Sequence, residues 1–231
     1  MKKIVLLLTG VMLSTHVFAA GNPDDPWEGF NRKMFAFNDT VDTYTLKPIA
    51  KGYRAVTPDP GERGGSRMFS SVGEVVNVFN DLLQGKFRQA GNDTGRFVIN
   101  TTIGLVGFFD VADHFGLPKN DGEDFGQTLG VWGVDSGPYL VLPLIGPSTV
   151  RDGPARIVDW FINPINEIDH VPTRNQIYGA EVISTRADLL EAEKFVRGER
   201  YSFIRDAYLQ RRKFLLTDGG VEDDFGDYKD F

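Results

Sequence analysis

Few side chains in this 231-residue sequence are arranged for bond-making chemistry. There is no cysteine, which excludes thiolate nucleophiles, Cys-ligated metals and disulfide staples. Of the three histidines, His16 lies in the N-terminal apolar segment, and His114 and His170 stand far apart. Neither has a histidine four residues on, so no zinc-binding helix face is present. Asp121-Gly-Glu-Asp124 offers carboxylates without the spacing of a helix-loop-helix calcium site, and reads as a solvated turn. Gly133-Val-Asp-Ser-Gly137 approaches a nucleophile elbow but lacks the first glycine at the required place. No P-loop or dinucleotide fingerprint occurs. Asp110 and Asp113 form an acid pair that nothing specific supports as acid and base. The expectation is a protein that is not an enzyme, with no cofactor and no metal.

The first 19 residues read as a cleaved secretory signal: Lys2 and Lys3, an apolar centre from Ile4 to Met12, then Val17-Phe18-Ala19 before Ala20. Its removal takes the formal charge from −7 to about −9, which argues against nucleic acid as a partner. No later run reaches the ~20 apolar residues of a membrane span. Contact with a membrane would have to come from amphipathic surface.

The elements read as helices. Asp25 caps a start at Pro26 and Glu28, followed by Phe30, Met34, Phe37, Val41 and Tyr44 on one face. Pro48 opens a short helix to about Val56. Thr57 to Gly65 reads as a loop from its prolines and glycines. Phe69, Val72, Val76, Phe79 and Leu83 share the next helical face, with Gly85 placed for a C-terminal cap. A further helix starts at Lys86, another at Gly153-Pro154 and ends near Pro164, and others cover 173–196 and about 199–216. No period-two alternation lasts long enough to suggest a sheet. The expectation is one mainly helical domain over 20–218, then an acidic, disordered tail over 219–231.

The middle of the chain sets the problem. Phe97 to Phe109 is uncharged and apolar, too short to span a bilayer, and suits a buried helix or a segment dipping into one leaflet. Phe125 to Asp152 is apolar, aromatic and too rich in Gly and Pro for a long helix, so 126–150 reads as a hairpin or loop. Apolar helix faces that meet one another make an ordinary bundle, whereas faces turned outward sit among lipids. The stripe itself is the same in both cases.

Five segments carry a resemblance: Asp25-Pro-Trp-Glu-Gly-Phe-Asn-Arg-Lys-Met-Phe-Ala-Phe-Asn38, Arg96 to Ala112, Phe125-Gly-Gln-Thr-Leu-Gly130, Gly137 to Asp152, and Arg205-Asp-Ala-Tyr-Leu-Gln-Arg-Arg212. In order, from about residue 24 to about 216, they resemble the MlaA (VacJ) family of outer-membrane proteins. The resemblance implies a ring of amphipathic helices on the periplasmic face of the outer membrane, in its inner leaflet, around a central polar channel. It implies removal of phospholipid from the outer leaflet, with transfer to a soluble periplasmic lipid carrier and association with a trimeric porin. The alternative is a structural adaptor that binds porins or the envelope without moving lipid. By the same resemblance, the channel or its hairpin would involve Phe37, Asn38, Gly130, Gly133, Gly137, Pro138, Tyr139, Pro143, Gly146 and Arg151. Arg151 would either meet a lipid phosphate or pair with Asp152. One departure is the absence of the cysteine that family members commonly carry with lipid at the mature N-terminus. Ala19-Ala20 stands there instead, so attachment is expected to rest on the helices or on a porin.

Overall fold

The computed structural model describes residues 22–220. The segment read as a signal, and residues 221–231 of the tail expected over 219–231, lie outside the described residues. Eight α-helices and one two-stranded hairpin order the described chain. They are α1 (Glu28–Val41), α2 (Lys47–Val56), α3 (Asp59–Gln84), α4 (Phe87–Thr102), α5 (Phe125–Val131), β1 (Tyr139–Leu142), β2 (Gly146–Thr149), α6 (Asp152–Ile162), α7 (Val171–Ala192) and α8 (Arg200–Leu216).

Helices α1 and α2 run on through a π-helical turn, Asp42–Leu46, in which the Lys47 N–H reaches back to Asp42 O. Pro48 explains it. Proline has no N–H and its ring crowds the carbonyl four residues earlier, and a widened turn absorbs both. Asp25 does not cap α1: Trp27 occupies the cap position with no side-chain bond, and the Asp25 carboxylate is buried elsewhere.

The loop expected over Thr57 to Gly65 is instead the first turns of α3. Pro58 is extended, Asp59 and Pro60 fill the opening positions, and Asp59 and Glu62 place negative charge at the helix N-terminus. The glycines within this turn serve packing: a Cβ on Gly64 would meet the Phe108 ring at 2.2 Å. At the other end Gly85 is left-handed (φ 76°), and Lys86 N–H bonds to Asp81 O, a Schellman closure as its sequence position implied.

The expected absence of a sheet is corrected by a hairpin. β1 and β2 pair antiparallel with Tyr139 opposite Thr149 and Leu142 opposite Gly146. Each strand has four residues, too few for alternation to register in the sequence. Before it, 125–131 is helical, with Asp124 accepting the Gln127 N–H at its N-terminus.

Residues 97–109 are not a buried helix. α4 stops at Thr102, and 103–109 is a tight turn with Ile103, Leu105, Val106 and Phe109 at least half exposed. Leu105 and Val106 have φ of 52° and 58°, strained for side-chain-bearing residues. The backbone still closes on itself, with Gly107 N–H on Asn100 O at 2.7 Å and Phe109 N–H on Gly104 O at 2.8 Å.

The distribution of side chains is inverted relative to a water-soluble bundle. Among the described residues, nine apolar side chains are buried, five of them alanine, against 18 buried polar or charged ones, while 30 large apolar residues are exposed. α3 turns Ser71, Glu74, Asn80 and Asp81 inward and Phe79 and Leu82 outward. α4 buries Ala90, Asp93, Arg96 and Asn100. No helix among the described residues is long and apolar enough to cross a membrane.

Candidate functional site

The interior is built from ion pairs and amides that join helices. Arg96, 3% exposed, donates to Glu74 on α3 (3.2 Å), to Asp110 beyond α4 (3.0 Å) and to the Leu117 carbonyl (2.7 Å). Burial works against ionisation of Asp110, yet the Arg96 and Asn100 bonds hold it below the usual carboxylate range. Nearby, Asp81 is fully buried, with neither oxygen hydrogen-bonded among the described residues. Burial, with the charges of Asp93 and Glu123 beside it, pushes Asp81 up to about 8.

A second chain of charges locks α5 and α6 to α8. Arg151 donates to Asp152 at 2.8 Å, Arg212 meets Asp152 at 2.9 Å and Asp124 at 3.0 Å, and Tyr208 donates to Asp152 at 3.0 Å. The two glycines of Phe125-Gly-Gln-Thr-Leu-Gly130 make room for it. A Cβ on Gly126 would fall 2.6 Å from Asp152 Oδ1, and one on Gly130 would fall 2.7 Å from Arg151 Nη1.

The hairpin is held by α1. Asn31, fully buried, donates to Tyr139 O at 3.0 Å and accepts the Val141 N–H at 2.9 Å. Two helical turns later, Asn38 repeats the pattern at the strand end, donating to Leu142 O at 2.9 Å and accepting the Leu144 N–H at 2.7 Å. Asp25 joins the same cluster, accepting from Asn31 at 2.8 Å and from the Tyr201 hydroxyl.

Behind this clamp is a cavity of about 460 Å³ between α1, the hairpin, α7 and α8. Its volume lies within the ~300–1,000 Å³ of typical ligand sites. Phe35, Val141, Leu189, Val196, Phe203 and Ile204 give it apolar walls. Arg186 grips Asp42 bidentately at 2.6 and 2.9 Å and Glu193 at 2.9 Å. Arg200 bonds Asp39 and reaches Glu193 at 3.3 Å, and Lys47 bonds Glu193 at 2.8 Å. Burial opposes ionisation of Glu193, but Lys47 and Arg186 hold it down at about 2.

The residues singled out in the sequence fall into three places. Asn38 and Gly146 line the cavity, and Tyr139, fully buried, and Pro143 belong to the same hairpin. Gly137 (φ 65°) and Pro138 lead into it, with the Pro138 carbonyl accepting the Val150 N–H at 3.1 Å. Gly130 and Arg151 sit together in the α5–α6 charge chain, where Arg151 takes the Asp152 pairing. Gly133 is in an exposed turn, and Phe37 is exposed on α1. Sequence reading missed Asn31, Arg186, Glu193 and Arg200. One signal was available for Asn31: Phe30-Asn31 and Phe37-Asn38 repeat at seven residues, which stacks the two amides on one helix face. The charge cluster left no local signal, since its members come from three distant segments.

Comparison with known proteins agrees with this architecture. The sequence pattern of the family described as MlaA lipoprotein matches residues 23–215. The intermembrane phospholipid transport system lipoprotein MlaA of Escherichia coli (strain K12) is 36% identical over 203 residues, covering 86% of this chain and 80% of that one. Its namesake in Haemophilus influenzae is 33% identical over 219 residues, covering 93% and 88%. A solved structure from work on the structural basis for maintenance of bacterial outer membrane lipid asymmetry superposes with a TM-score of 0.72 at 34% identity, covering 83% of this chain and 98% of that one. With the family pattern spanning nearly all of the described residues, the chain belongs to the MlaA lipoprotein family.

Proposed function

We propose that this protein is the outer-membrane component of an intermembrane phospholipid transport system, taking phospholipid from the outer leaflet and passing it to a soluble periplasmic carrier. The observation that carries the reading is the inverted surface: apolar side chains outward, polar and charged ones inward. A phospholipid has a charged head and apolar tails, so a passage for it needs buried polar groups inside and acyl-compatible faces outside. All three tryptophans, Trp27, Trp132 and Trp160, are about half exposed, as suits residues at a membrane interface. The protein then lies in the inner leaflet, its helices ringing a hydrated channel bordered by the hairpin, beside a trimeric porin. It makes and breaks no covalent bond.

The test is a deletion strain assayed for phospholipid in the outer leaflet. Accumulation that is reversed by the native chain, but not by a variant with a disulfide fixing the hairpin to α7, supports transport. Full rescue by the fixed variant would leave only an adaptor that binds porin or envelope without moving lipid.

A further inference from the structure

This inference rests on the lipid-transport reading and concerns which headgroup the cavity accepts. Three carboxylates surround its polar end, Asp39, Asp42 and Glu193, and three cations answer them, Arg186, Arg200 and Lys47. The set is formally neutral. Arg186 is committed to Asp42 and Glu193, and Lys47 to Glu193. Two groups keep unused capacity among the described residues. Arg200 spends one Nη1 hydrogen on Asp39 and keeps the other, on a side chain 36% exposed, and Asp39 is bonded through Oδ1 alone. Both line the cavity.

An unpaired anion entering a neutral, half-desolvated rim brings charge that nothing there balances, whereas a head carrying phosphate and ammonium together brings none. The unused donor matches the phosphate and the unused carboxylate oxygen matches the cation. Beyond them the apolar walls suit an acyl chain. We propose that the cavity between α1, the hairpin, α7 and α8 is a resting site for a zwitterionic phospholipid, its phosphate on Arg200, its cationic group on Asp39 and one acyl chain among Phe35, Leu189, Val196 and Ile204.

The experiment offers detergent-solubilised full-length protein equal amounts of phosphatidylethanolamine and phosphatidylglycerol with matched acyl chains, and counts bound lipid by native mass spectrometry. Phosphatidylethanolamine is expected in about two- to fivefold excess, the effect of one partly screened ion pair. Asp39→Asn is expected to keep binding and bring the ratio close to one. Ala192→Trp, which fills the cavity from an exposed lining position, is expected to remove both lipids, and Leu189→Phe repeats this test if that variant fails to fold. Equal or preferential binding of phosphatidylglycerol that Ala192→Trp still abolishes overturns the headgroup assignment and leaves the transport reading standing. An unchanged ratio in Asp39→Asn overturns the role of that carboxylate. Binding of neither lipid by the native protein overturns the resting site, and the outer-leaflet assay in the deletion strain then decides the transport reading alone.

Discussion

Asn31 and Asn38 show how much one amide can do when it faces a strand. Each supplies a donor and an acceptor to main-chain groups of the hairpin, as a neighbouring strand would. A buried bond of this kind is worth about 1 kcal/mol, and an orphaned partner costs about 1–3. Asn38→Leu is therefore expected to lower stability by about 1–3 kcal/mol and to speed hydrogen exchange at the Leu144 amide, with exchange at Ala187 on α7 unchanged. Unaltered exchange at Leu144 would show that the amide holds nothing. Asp81 gives a pH prediction of opposite character. Its folded value, about 8, lies above its ordinary value, so the folded protein takes up a proton that the unfolded chain gives up. This contribution is full below about pH 4 and is lost as pH rises through 8. Asp81→Asn is expected to gain at least about 1 kcal/mol over the parent at pH 9, with the gain shrinking toward pH 5, measured by thermal unfolding at both values.

At the scale of elements, helix positions were readable and the direction of their faces was not. The stripe Phe69, Val72, Val76, Phe79, Leu83 placed α3, and Gly85 ended it correctly, because periodicity and capping are local. Which side of that stripe meets solvent depends on the surrounding medium, and the sequence pattern has no sign for it. The same limit hid the start of α3, where prolines and glycines that favour turns are overruled by the ring of Phe108 lying on Gly64. The hairpin fell within the 126–150 hairpin or loop read from Gly and Pro, but its strands, four residues each, are shorter than any useful alternation. The site was half legible: Asn38 and the hairpin residues could be named, whereas the pairing of Asp42 with Arg186 joins positions too far apart for spacing to reveal. The turn at 103–109 carries an element-scale prediction. It presents apolar side chains while every amide but that of Leu105 bonds internally, close to the arrangement required of backbone placed in hydrocarbon. Leu105→Asp with Val106→Asp is expected to reduce vesicle flotation at least tenfold while leaving helix content by circular dichroism unchanged, since burying two carboxylates in lipid costs several kcal/mol. Undiminished flotation would place this turn in water.

For the whole molecule, the interior is a scaffold of charges. Arg96 ties α3 to α4 and to the segment beyond it, and removing one partner of such a buried pair costs about 3–5 kcal/mol because the other charge is stranded. Arg96→Met is expected to abolish the cooperative thermal transition or lower its midpoint by more than about 10 °C. Retention of the native midpoint would mean that solvent reaches Glu74. Glu193 governs the opposite flank. Because its folded value is about 2, its contribution is present above about pH 4.5 and is lost as pH falls through 2, so acid in that window should loosen α7 from α2.

The amides on α1 have one more effect. A two-stranded ribbon with bare sides invites further strands from other molecules, and a chain with so many exposed apolar side chains is the wrong place for such an invitation. Here one margin is taken by Asp24 O, which accepts the Tyr139 N–H, and by Asn31, while Arg156 caps the Pro147 carbonyl on the other. The ribbon thus offers a neighbouring strand few open groups. A template for fibril growth, a standing hazard for apolar sequences, is thereby blunted on both margins of the hairpin.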